Sequence, residues 1–483
     1  MDRRGHQLNR ASVTSKLSAS SRMTAVAVAA AMFMSQLDAT VIHTALPAMA
    51  ASFRIAPVDL SIGITIYLLA QAVCLPASAW IADRIGARPV FAGAVLGFTL
   101  ASLLCGLTSD LDEFVAARIL QGMCAAMLMP VGSALLVRTA GRERLVEIMA
   151  LTSTAVLVAP TFGPAIGGFC VTYLSWPWSF FINIPVGLAA FVLILRFIPA
   201  LPPENPRPFD LLGFVLAGTA MTGLLIGLDR ISAPVGSSWV AGGCLAIGAA
   251  AGVAAVRHFR THPHALLSLE PLQSNVYRIS VLGGGALIRI AIRALPFLLP
   301  LMFQLALGMS AFAAGITLVM LNGADLVIKP TIRRILRQFG YRANLLASCL
   351  ASALGTGACA AFSPATPYWV FLACLAFLGA ARSILFTSVQ TLLYSEIPED
   401  RTTSATVLWN VFQQLTSAVG VSLTAILLNA LAAVHGRWGG TPSLLDFKLV
   451  LLLYAVLLLA AIPSFLKLRA DAGAQLSGHS AGR

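Results

Sequence analysis

About fourteen apolar stretches of roughly 18 to 28 residues run through this chain of 483 residues, each long enough for a helix to cross about 30 Å of hydrocarbon. They fall near 24–50, 59–81, 89–108, 113–137, 146–172, 178–198, 210–229, 238–256, 277–305, 311–331, 343–362, 367–394, 403–432 and 447–466. Composition excludes a soluble domain: 58% of residues are hydrophobic, 11% are charged and the mean hydropathy is +0.85, whereas soluble domains carry roughly 25% charged residues. The chain reads as an all-α polytopic membrane protein.

A net charge of +13 could point to nucleic acid, but sorting the cations by connection gives another reading. With the N-terminus inside, most Lys and Arg fall on the cytoplasmic side, the positive-inside bias. The strongest clusters are the tail carrying Arg3, Arg4, Arg10, Lys16 and Arg22, and the connection from Lys329 to Arg342. No nucleic-acid partner is expected; the bilayer is. Both termini are placed in the cytoplasm, and the first span is too long and too polar in its middle for a cleaved signal peptide. The eight cysteines lie within spans and form no C-x-x-C pair, so neither a disulfide framework nor a metal site is expected. His258, His262 and His264 could bind a metal, but a solvated basic loop broken by Pro263 is the preferred reading.

Longer connections divide the chain into a basic tail (1–22), six helices (23–198), a linker with two inserted helices (199–256), a cytoplasmic loop (257–275), six more helices (276–468) and a tail (469–483). The segment ADRIGAR at Ala82–Arg88 is echoed by LRQFGYR at Leu336–Arg342, aligning Gly86 with Gly340 and Arg88 with Arg342. A repeat at equivalent places in two halves implies parallel duplication, and two pseudo-symmetric bundles in a 6+2+6 order.

Asp38 stands in the middle of the first span, in AMFMSQLDATVIHTALP. A carboxylate at that depth is neutral, paired or functional. Around it the chain resembles the fourteen-helix drug:proton antiporters of the major facilitator superfamily. LDATVIHTALP is similar to that family's L-D-x-T-[IV]-V-N-x-A-L-P, and ADRIGAR to its signature after the second helix. Arg118, Gln121 and Gly122 resemble the fourth-helix R-x-x-Q-G, GPAIGG at Gly163–Gly168 the antiporter motif, and WPWSFFINIPVG at Trp176–Gly187 the entry to the sixth helix. The surroundings of Arg382 and IPEDRTTSATVLWNVFQQLTSAVGV look closest to the enterobacterial multidrug exporter type.

The resemblance implies roles. Asp38 would carry the coupling proton with Arg118 setting its protonation, against the simpler alternative of a permanent structural pair. Asp83, Arg84, Gly86 and Arg88, with Gly340 and Arg342, would form a conformational latch at the cytoplasmic ends, or else only fix topology. Arg337 takes the place of the acid in the second copy. Gly163, Pro164, Gly167 and Gly168 would give the fifth helix a bending, close-packing face suited to export. His43 stands where the family has Asn, either as a plain substitute or as a pH-sensitive group; at five residues from Asp38 it occupies a different face.

The ninth span is unusual. Arg289 and Arg293 share one face, continuing toward Pro296 and Gln304, and Asp325 is the acid expected to pair with one of them. Arg382 adds another interior cation. This excess argues against a cavity built solely for lipophilic cations. Tyr67, Gln71, Gln121, Ser383, Thr387, Gln390, Tyr394, Asn410, Gln413, Gln414 and Ser417 are expected to face the same cavity or to join helices. Phe33, Met34, Trp409 and Phe412 are expected in its apolar wall.

With no P-loop and no hydrolase motif, neither ATP-driven transport nor an enzyme is expected, and the proton gradient replaces any cofactor. The expected function is proton-coupled efflux of small amphiphilic molecules by a monomer in the bacterial cytoplasmic membrane. An organic-anion or metabolite exporter is the first alternative; a proton symporter and a non-transporting membrane sensor follow.

Overall fold

Lipid supplies no hydrogen bonds, so a chain this apolar must satisfy its backbone within its own segments, and it does so as helices. A computed structural model describes residues 19–140, 145–199, 208–231, 238–398, 401–436, 441–469 and 472–477, among which there is no strand. Arg3, Arg4, Arg10, Lys16 and most of the Pro-rich linker lie outside the described residues.

The first half comprises α1 (Ala19–Phe53), α2 (Ser61–Ile85), α3 (Ala87–Leu107), α4 (Leu111–Ala140), α5 (Leu145–Tyr173) and a sixth span in two pieces, α6 (Trp178–Phe181) and α7 (Asn183–Phe197). The inserted pair is α8 (Leu211–Ile231) and α9 (Ser238–Thr261). The second half comprises α10 (Asn275–Val281), α11 (Gly284–Leu301), α12 (Ala311–Cys359), α13 (Tyr368–Leu392), α14 (Thr402–Val434) and α15 (Leu444–Leu466). Thirteen stretches of the described residues are long and apolar enough to cross a membrane. One of them, α12, runs for 49 residues, about twice the length a bilayer needs. Gly340 (φ 70°, ψ 172°) divides it into two legs, which correspond to the spans read separately at 311–331 and 343–362.

The repeat seen in sequence has a backbone counterpart. Gly86 (φ 105°) ends α2 and Gly340 ends the first leg of α12, both in the left-handed half of φ space, where a side chain would be strained. Each glycine turns the chain directly into the next helix.

Small residues bring the halves together at the end of the bundle away from the N-terminus. A Cβ on Gly168 of α5 would lie 2.3 Å from the Ala311 carbonyl of α12, and one on Gly315 would lie 2.2 Å from the Pro164 carbonyl. Close approach of this kind is how helices associate in lipid. Thr65 and Ser422 hydroxyls meet at 3.3 Å, and Asn429 donates to Asp59 at 3.1 Å. This end is closed. The inserted helices pack on each other, and α8 also touches α2 of one half and α14 of the other.

The histidine-rich connection is more ordered than a solvated loop. His258 lies in the last turn of α9, and its Nε2 is 2.7 Å from Oδ1 of Asp210. Asp210 caps α8 by accepting from Gly213 N–H at 2.8 Å and holds the connection by accepting from Leu266 N–H at 3.0 Å. His262 completes a group whose ligand atoms lie within 4.8 Å of one another, but both Asp210 oxygens already have donors.

Burial alone would raise the Asp210 carboxyl; the Leu266 and Gly213 N–H groups and the His258 ring outweigh it and hold the group below the usual carboxylate range. A depressed folded pKa stabilises above the unfolded value of about 4 and loses that effect as pH falls through the folded value. Asp210→Asn should therefore lower stability by about 1 to 3 kcal/mol at neutral pH. In thermal unfolding of the purified protein, the gap between wild type and variant should hold from pH 7 to pH 5 and close in stronger acid.

Candidate functional site

Asp38 finds its partners in other spans. Its side chain and that of Arg118 are each 1% exposed, and Arg118 donates to Oδ2 at 2.8 Å. Oδ1 accepts from Gln121 Nε2 at 2.9 Å and from Asn183 Nδ2 at 2.8 Å. Gln121 also donates to Ser102 at 2.8 Å and accepts a short bond from Arg118. Arg118 Nε donates to the Gly63 carbonyl at 3.1 Å, and its guanidinium lies 4.2 Å from the Tyr67 ring centroid. One carboxylate thus connects α1, α2, α3, α4 and α7. Asn183 and Ser102 were not foreseen, although Asn183 lies within the FFINIPVG run that carried the family resemblance.

Beside this network is a cavity of about 490 Å³ between the halves, a volume suited to a drug-sized molecule. His43, Tyr67, Gln71, Arg118, Arg293, Asp325, Arg382, Asn410 and Gln413 line it. So do Ser383, Thr387, Gln390, Gln414 and Ser417. His43 is 8% exposed, with Nδ1 lacking a partner among the described residues. Gln71 and Gln414 form a short hydrogen bond across the halves.

Several expected members lie elsewhere. Gln121 is spent inside the Asp38 network, and Tyr394 bonds Thr406 at 2.9 Å. Phe33, Met34, Trp409 and Phe412 pack among helices, while Met32, Leu68, Leu75 and Met129 supply the apolar wall. Helical spacing identified the polar faces; it could not tell which aromatic neighbour points inward.

Arg289 is the clearest correction. It is 1% exposed and faces a break in its own span. Leu282 and Gly283 separate α10 from α11, leaving carbonyls at the end of α10 that need donors. Arg289 NH1 donates to the Ser280 carbonyl at 2.9 Å, NH2 to the Val281 carbonyl, and Nε to Thr416 at 3.2 Å, with the guanidinium 4.6 Å from the Trp409 ring. A span read as one continuous helix gives no hint of orphan carbonyls within reach.

Asp325 pairs with neither Arg289 nor Arg293. Its partners are Arg382 at 3.6 Å, Lys329 at 3.7 Å and Ser383 at 2.6 Å. Arg382 also donates to Asn322 at 2.6 Å, and Asn322 Nδ2 donates across the halves to the Pro160 carbonyl at 2.8 Å. This last bond has a simple origin. Pro164 has no N–H to return to residue 160, so the freed carbonyl accepts a side chain from the other half.

On α5, Gly163 and Gly167 abut α1, where an added Cβ would fall 2.0 Å from Thr40 Oγ1 and 2.4 Å from the Val41 carbonyl. Pro164 and Gly168 face α12 instead. At the ends nearer the N-terminus, Asp83 pairs with Arg138 of α4 at 3.3 Å, and Arg88 donates to the Leu195 carbonyl. Arg84 is exposed and Arg342 half-buried.

Residues 28–421, and again 282–478, match the family model of the Major Facilitator Superfamily. The MdtD protein of Cronobacter sakazakii, provisionally named for multidrug resistance, is 37% identical over 403 residues, covering 83% of this chain and 85% of that protein. Its namesake in Escherichia fergusonii is 34% identical over 439 residues, covering 91% and 92%. Among solved structures, an auto-inhibited peptide transporter of the POT family superposes with a TM-score of 0.68 at 14% identity, covering 92% of this chain and 97% of the other. A bacterial homologue of the human lysosomal transporter Spinster, inward-facing and unoccupied, gives 0.62 at 15% identity, covering 93% and 98%.

Removing the Arg289 guanidinium should leave two carbonyls unpaired, at about 1 to 3 kcal/mol each. Arg289→Gln is expected to lower the thermal midpoint clearly while leaving ligand affinity unchanged in the protein that remains folded. A large loss of affinity at unchanged stability would return Arg289 to the cavity.

Proposed function

The chain belongs to the Major Facilitator Superfamily and is a multi-pass membrane transporter, and from that premise we propose that it exports small amphiphilic molecules in exchange for protons. The observation that carries this reading is the adjacency of one buried, ion-paired carboxylate to a drug-sized cavity. Arg118 belongs to both: it bonds Asp38 and lines the cavity. The relatives named for multidrug resistance support the direction of transport and the cargo class.

With the termini in the cytoplasm of a bacterial inner membrane, the closed end is external and the cavity is open to cargo from inside. In this cycle, entry of cargo beside Tyr67 and Arg118 is matched by departure of the proton from Asp38. The halves then separate at Gly168–Ala311 and Thr65–Ser422, exposing the cavity outward. Asp83–Arg138 and Arg88–Leu195 hold the opposite helix ends in register during that movement. After cargo leaves, a proton from outside neutralises Asp38. Arg118 then loses its counter-charge in low dielectric, a state costing about 3 to 5 kcal/mol unless the network rearranges. The rearrangement returns the transporter to the inward-facing form.

The two steps predict different behaviour for Asp38→Asn, which is permanently neutral. In proteoliposomes, cargo exchange at equal pH should persist, whereas accumulation driven by a pH gradient should fall at least about tenfold. Gradient-driven transport at the wild-type level in this variant would overturn the assignment of Asp38.

A further inference from the structure

The cavity wall carries four cations, Arg118, Arg293, Lys329 and Arg382, and one acid, Asp325. Asp38 answers Arg118 from just behind the wall. Asp325 is shared between Arg382 and Lys329, so two positive charges remain uncompensated among the described residues. Arg293 is the least engaged of the four among the described residues. It is half-buried in the middle of α11 and has neither a hydrogen bond nor an ion pair among the described residues; its guanidinium lies 5.0 Å from the centroid of the Phe386 ring. Arg382 sits in the same wall, with Nε buried and without a partner.

An arginine this deep in a membrane protein normally finds an acceptor. The contrast with Arg289, one turn earlier on the same helix, shows what a satisfied one looks like: two carbonyls and a hydroxyl engaged, no opening to the cavity. Arg293 instead lines a cavity large enough for a small molecule, its donors unclaimed among the described residues. A carboxylate is planar and accepts two parallel N–H bonds from a guanidinium fork. Across the cavity, Met32, Leu68, Leu75, Met129, Val156 and Leu157 form an apolar wall contributed by the first half. Head and body of a ligand are therefore recognised by different halves.

We propose that the cavity selects amphiphilic carboxylate monoanions, with the carboxylate on Arg293 and Arg382 and the apolar body against the first half. This names the cargo class of the transporter proposed above and rests on that reading for its physiological meaning, but binding itself needs no gradient. The test uses three probes of one shape: 1-naphthylacetate, its neutral amide, and the cation 1-naphthylethylammonium. Their affinities for the purified full-length protein at pH 7 are measured by calorimetry.

The carboxylate should bind at least about tenfold more tightly than the amide, and the ammonium most weakly. Arg293→Gln should bring the carboxylate down to the level of the amide while amide affinity stays, which also shows that the variant is folded. Arg293→Lys should restore only part of the preference, because an ammonium cannot present the bidentate fork. Absent carboxylate binding, equal or tighter binding of the amide or ammonium, or a carboxylate preference surviving in Arg293→Gln would each overturn the inference. Proton movement separates it from the broader reading. Carboxylate selectivity without substrate-induced proton flux in proteoliposomes would sink the antiport and keep the site; proton flux elicited only by the ammonium would do the reverse.

Discussion

A single buried carboxylate holds five helices of the first half in register. Asp38 accepts from Arg118, Gln121 and Asn183, and through Arg118 and Gln121 the bonds continue to Gly63 and Ser102. In low dielectric such a network is favourable only when fully satisfied; removing one charge leaves its partner stranded. In the proposed antiport, that all-or-none character would give a proton its leverage. Neutralising Asp38 changes more than one bond, because Arg118 must find another acceptor, and the nearest open space is the cavity it already lines.

The second half solves a different problem. Its Arg289 is fixed to carbonyls freed by the helix break at Leu282 and Gly283, so this charge acts as a cap inside the membrane. Asn322 reads a carbonyl freed on α5 by Pro164, and joins it to Arg382 and Asp325. Prolines and glycines that weaken helices thus create the acceptors by which polar side chains join them. The bond from Asn322 to Pro160 also crosses between halves, so any rocking of one bundle against the other must break it or carry the Arg382 and Asp325 pair along.

Hydropathy made the helical membrane class legible, and the repeat around Gly86 and Gly340 marked where each half turns. Asp38 is legible because a charge in an apolar span needs a partner, and the family resemblance puts Arg118 beside it. The partner of Asp325 is not legible for a related reason: depth in sequence puts Arg289 and Arg293 within its reach, but direction around a helix decides which acceptor an arginine meets, and Asp325 meets Arg382 and Lys329. Arg289 and Arg293 share a helical face in projection, yet the break at Gly283 gives the first a local set of acceptors and leaves the second without one. Backbone irregularities inside apolar stretches leave little trace in composition, and they govern where the polar side chains go.

The asymmetry between halves follows from this distribution. The first half closes its cation against its acid, with Arg118 in the cavity wall and Asp38 behind it, which suits the proposed role of a group that must hold or release a proton. The second half spreads one acid over two cations and leaves Arg293 facing the void, which suits a group whose counter-charge arrives and departs with cargo. If both functions used one carboxylate, cargo and proton would compete directly at the same atoms. Placing the proposed anion-seeking charges on the opposite wall instead would make their coupling act through Arg118, Tyr67 and the bonds that span the halves. In the proposed cycle, coupling of that kind would depend on the position of the two bundles, so the energy of cargo binding would be expressed as a bias on which end of the transporter is open.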